Sequence, residues 1–175
     1  MRIYEGSPRR EFEEVLRSIG AVLDARGLRE CLLLEVPEGF VVQGLVVEPE
    51  AGGLHSDRLG RGAKVTLTFV DDDIARFLEE ARARRGSGQI APDWERAGYY
   101  ERALRVVGRY LDDQRPRDIF FLEQDGAFVL RILPGGPVAV THTIIEFTRE
   151  DIESLIAKGP ALRAADAAKK DAGPA

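Results

Sequence analysis

The residues best suited to chemistry gather in one glycine-rich stretch, Glu48-Pro49-Glu50-Ala51-Gly52-Gly53-Leu54-His55-Ser56-Asp57-Arg58-Leu59-Gly60-Arg61-Gly62. His55 and Asp57 are the types that position a general base, while Arg58 and Arg61 among glycine amides are the types that hold an anion. The stretch contains no G-x-x-x-x-G-K-[ST], and Gly60-Arg61-Gly62 is too short for a phosphate fingerprint. A connection between two strands is its plainer reading. Glu35 and Glu123 form the second constellation, because each ends an apolar strand-like run. Facing one another across a cleft, they would act as acid and base or ligate a hard cation. Neither has a histidine or a second carboxylate at ligand spacing, so two solvated strand ends are the simpler expectation.

Other candidates have structural explanations. Asp71-Asp72-Asp73 lacks the alternating spacing of a calcium loop and suits the first turn of a helix, where unpaired amides favour carboxylates. His142 has no second ligand near it in sequence. The single cysteine, Cys31 in Cys31-Leu32-Leu33-Leu34, cannot form an internal disulfide and reads as a small buried hydrophobe. Trp94, Tyr99 and Tyr100 are spaced for helix packing more than for base stacking. No metal and no cofactor are predicted.

The elements that must position these residues occur twice. Sliding the sequence on itself by 88 positions aligns 12–45 with 100–133 without a gap. The identities are Glu13/Glu101, Leu16/Leu104, Arg17/Arg105, Gly20/Gly108, Leu23/Leu111, Asp24/Asp112, Arg29/Arg117, Leu34/Leu122, Glu35/Glu123, Phe40/Phe128, Val41/Val129 and Leu45/Leu133. Chance would give about two or three in such a stretch. Each copy opens with an amphipathic helix, such as Phe12, Val15, Leu16, Ile19 and Leu23 on one face, with Ser7-Pro8 and Asp93 as expected starts and Gly27 as a stop. Two strands and a tight turn follow, 31–36 with 40–47 and 119–124 with 128–133. A third strand, 64–70 or 140–147, alternates apolar and polar residues, and an acid-started helix closes each copy.

The predicted fold is therefore α+β: two tandem α-β-β-β-α repeats with antiparallel sheets, related by a pseudo-twofold axis. Residues 1–86 form the first repeat, 87–91 a linker, 92–160 the second, and 161–175 a flexible or weakly helical tail. The strands are apolar on both sides and need two covers. Helices supply one; the other copy's sheet, or another subunit, is expected to supply the second.

Composition narrows the function class without naming one. Apolar residues make up 44% and charged residues 31% of 175, as in soluble globular proteins, and no apolar run approaches a membrane span. The formal charge of -5 disfavours a general phosphate-backbone binder. The order α-β-β-β-α resembles that of double-stranded RNA-binding domains, but those present lysines where this chain has Asp71, Asp72, Asp73, Glu150 and Asp151. No apolar leader follows Arg2, so the cytosol is the expected compartment. The first functional expectation is a noncatalytic binding or regulatory module for a protein or small-molecule partner, using an inter-repeat or dimer groove or an apolar sheet face, in a homodimer. A small hydrolase-like enzyme built on Glu35 and Glu123, or on His55, Asp57 and Arg58, is the alternative. Nucleic-acid binding through Arg82, Arg84 and Arg85 is the third.

Overall fold

The computed structural model describes residues 11–46, 63–87, 96–114, 116, 118–124, 127–133 and 143–171. Helix α1 (Phe12–Ala25) buries Phe12, Val15, Leu16, Ile19 and Leu23 on one stripe and stops at Gly27, whose φ of +64° suits a residue without a Cβ. Strands β1 (Leu28–Val36), β2 (Gly39–Val46) and β3 (Ala63–Val70) follow, then α2 (Asp71–Gly86). The order recurs as α3 (Tyr99–Gln114), β4 (Asp118–Gln124), β5 (Ala127–Leu133), β6 (Thr143–Phe147) and α4 (Arg149–Asp171). Helix α4 runs through Pro160 into the stretch read as flexible or weakly helical, whose alanine-rich sequence favours helix.

All six strands belong to one antiparallel sheet in the order β3-β2-β1-β4-β5-β6. This corrects the expectation of separate sheets covering one another. Strands β1 and β4 meet edge to edge, with Leu32 opposite Leu122, Leu33 opposite Phe121 and Leu34 opposite Phe120. Backbone groups on these two edges would otherwise lie unpaired beneath the helices, and pairing them with each other satisfies both rows. Apolar alternation reports which faces are shielded, and it carries no information on which edges join.

The helices lie on one side of this sheet. Phe77 of α2 packs on Phe69, Tyr99 and Tyr110 of α3 on Phe128 and Phe147, and Ile152 of α4 joins the same core. A bulge in β1 between Arg29 and Leu32, with Glu30 at φ +52°, adds a residue, so Leu28 and Cys31 both face the helices despite their odd spacing.

Helices α1 and α3 cross in close contact. A Cβ at Gly20 would lie 2.7 Å from the Cα of Glu101, and one at Gly108 would lie 2.7 Å from the Cα of Glu13, so only glycine permits this approach. Each helix also caps the other. Asp112 accepts hydrogen bonds from the Phe12 and Glu13 amides at 2.8 and 3.0 Å, and Asp24 accepts from the Tyr100 and Glu101 amides at 3.1 and 2.8 Å. Arg17 reaches Glu101 at 2.6 Å and Arg105 reaches Glu13 at 3.3 Å. These bonds satisfy helix-start amides and set the register of the two helices.

Candidate functional site

Strand alternation assigns every second side chain to the side of the sheet away from the helices. The register gives two complete rows there. Thr66, Gln43, Leu32, Leu122, Val129 and Glu146 form one, crossing all six strands. Thr68, Val41, Leu34, Phe120, Arg131 and Ile144 form the next. Leu32, Leu122, Leu34 and Phe120 make a central apolar block, with Val41 and Val129 beside it. These six are half-buried by their neighbours, whereas the outer Ile144 is 65% exposed and Val70 is 44% exposed. The Arg131 guanidinium lies 5.4 Å from the Phe120 ring centroid, a cation on an aromatic face at the border of the block. Among the described residues, no helix packs on this side.

Glu35 and Glu123 do not come together. Both point to the helix side, but the antiparallel register sets them four residues apart along the paired strands, about 14 Å at about 3.4 Å per residue. Glu123 faces inward: its Oε2 accepts a hydrogen bond from the Tyr100 hydroxyl at 2.5 Å and from the Cys31 amide at 3.2 Å. Burial, together with this carboxylate, pushes the Tyr100 hydroxyl well above its ordinary range. Burial chiefly, then Glu123, pushes the Cys31 thiol up to about 12, so the thiol stays protonated. The arrangement ties a helix to the central strands and presents no nucleophile. Glu35 is 9% exposed at the far end of β1, opposite Phe40.

His55, Asp57, Arg58 and Arg61 lie outside the described residues, as do His142, Trp94, Ser7, Pro8 and Asp93. Asp73 accepts a hydrogen bond from the Val70 amide at 3.2 Å, and Asp151 accepts one from the Thr148 amide at 2.9 Å, so acids at both closing helices act as caps. The bonds from Thr148 hold the Asp151 carboxyl below its usual range. An open concavity of about 450 Å³ lined by Pro37, Glu38, Val70, Asp71 and Asp72 includes neither Glu35 nor Glu123. Among the described residues, no group of three or more potential metal ligands converges. Arg82 and Arg84 sit 3.7 and 3.9 Å from Glu11 and Glu14, which offsets the basic patch with acids of α1. No described helix is long and apolar enough to cross a membrane.

No family model, curated protein or solved structure matches this chain. The site therefore rests on its own geometry.

Two features escaped the sequence reading. Asp24 and Asp112 stood among the repeated identities, but a cap supplied by a distant helix leaves no local pattern. The groove expected on the helix side is closed between α1 and α3, because Gly20 and Gly108 bring these two helices into backbone contact. Among the described residues, the apolar sheet face has no helix packed on it.

Proposed function

We propose that this chain is a noncatalytic binding module made of two α-β-β-β-α repeats about a pseudo-twofold axis, with the open sheet face as its working surface. The repeat reading is supported by contacts that recur at the same offset as the sequence identities: Asp24 and Asp112 as caps, Gly20 and Gly108 at the crossing, Arg17 with Glu101 and Arg105 with Glu13. The strand order, β3-β2-β1 followed by β4-β5-β6, supports an axis between β1 and β4. A rotation about it exchanges Leu34 with Leu122 and Val41 with Val129 across the open face.

The central block of Leu32, Leu34, Phe120 and Leu122 carries the functional reading. A contiguous apolar surface at the middle of a sheet, rimmed by threonines and charges, is the composition of an interaction site. Buried Cys31, inward Glu123 and separated Glu35 supply no competing reactive constellation. The test is fluorescence of an apolar anilinonaphthalene dye with submicromolar protein. Wild type is expected to enhance the dye, and Leu34→Asp with Phe120→Asp to abolish the enhancement while helical circular dichroism is kept. Equal enhancement in the double variant and a wild type that sediments as a monomer refutes the open face as the working surface.

A further inference from the structure

We infer that the occupant of the open face is a second copy of this chain, packed sheet on sheet about a true twofold axis; the inference rests on that face being the working surface. Area is the first argument. Six strands at about 4.8 Å and seven residues from Lys64 to Val70 at about 3.3 Å span about 29 by 23 Å, roughly 650 Å² per copy. Two such faces bury roughly 1,300 Å², within the range of about 1,200 to 2,000 Å² for specific stable interfaces. A smaller occupant would leave the outer strands uncovered, where Ile144 is 65% exposed.

Shape and charge agree with this choice. Sheets pack face to face about 10 Å apart with strands nearly aligned, so the half-buried Leu32, Leu34, Phe120 and Leu122 of the two copies would interdigitate into a second core. Glu146 is the acid in the two rows and Arg131 the base, with Lys64 just beyond on β3. Two twofold axes keep the strands aligned. When the axis runs along the strands, β6 of one copy lies over β3 of the other and Glu146 approaches Lys64. When it runs across them, β6 lies over β6 and Glu146 approaches Arg131. Either arrangement sets opposite charges together at the rim, which favours register and disfavours slipped pairings.

The experiment is sedimentation velocity on the full chain from about 1 to about 100 μM, a range that resolves micromolar dissociation constants. Wild type is expected at twice the chain mass of 19.4 kDa. Leu34→Asp and Phe120→Asp are expected to sediment as monomers with native circular dichroism, and the milder Ile144→Lys and Glu146→Lys to weaken association. Glu80→Lys, on an exposed position of α2, is expected to leave the dimer unchanged. A wild-type monomer at the highest concentration overturns the inference, as does a dimer that survives Leu34→Asp or is lost with Glu80→Lys. Dye binding keeps the two readings apart. A monomer whose dye enhancement depends on Leu34 and Phe120 removes the second copy and keeps the binding face; a monomer without enhancement removes both.

Discussion

Asp112 offers a pH test of the helix crossing. Burial raises its carboxyl to about 6 against the attraction of the Phe12 and Glu13 amides, with the charges of Glu13 and Glu11 adding to the rise. An acid that holds its proton more tightly in the fold than in the unfolded chain stabilises the fold more as pH falls. This contribution is complete below the unfolded value of 3.8 and is lost as pH rises through about 6. A shift of about two units would correspond to about 3 kcal/mol at full burial, and partial solvent screening lowers the expectation to about 1 to 1.5 kcal/mol. Asp112→Asn keeps one acceptor and removes the titration. Urea midpoints for both proteins between pH 4 and pH 7.5 would measure the difference. Wild type should gain on the variant by the stated amount as pH falls across that window. A difference that is flat, or that favours wild type more as pH rises, would show that the two amide bonds outweigh burial and refute the reasoning.

Three further perturbations probe the same architecture. Gly20→Ala or Gly108→Ala forces a methyl group into the facing backbone and is expected to cost about 3 kcal/mol in chemical denaturation, with the pair less than additive because the first separates the helices. Glu30→Gly relieves a left-handed residue in the β1 bulge and should raise stability by about 0.5 to 1 kcal/mol; an unchanged or lower urea midpoint would argue against strain there. The native Cys31 thiol, held up to about 12, should react with a disulfide reagent at pH 8 at least about a thousandfold more slowly than in the unfolded chain, and fast native labelling would contradict its burial.

Local chemistry made much of the fold legible. The helical stripe from Phe12 to Leu23 and the alternation Val65, Leu67, Phe69 each report one buried side, and both appear in the structure. Strand β1 was expected from Cys31 and begins at Leu28, because the bulge at Glu30 breaks the two-residue rhythm that marks a strand. The joining of β1 to β4 was not legible, since Leu33 and Phe121 are ordinary core residues and nothing in their types selects each other as neighbours. The acids were misleading for a related reason. Glu35 and Glu123 match in sequence, yet antiparallel pairing sends equivalent positions to opposite ends of the seam. The apolar second side of the strands was visible; that the helices leave it open follows only from their placement together on the other side.

The distant cap on α1 sets an order of events during synthesis. Phe12 waits for a carboxylate 100 residues downstream, so α1 leaves the ribosome without its final partner. At about 5 to 20 residues per second, that interval lasts about 5 to 20 s. During it α1 can lean on β1 to β3 and on α2, whose Arg82 and Arg84 reach Glu11 and Glu14, before α3 arrives.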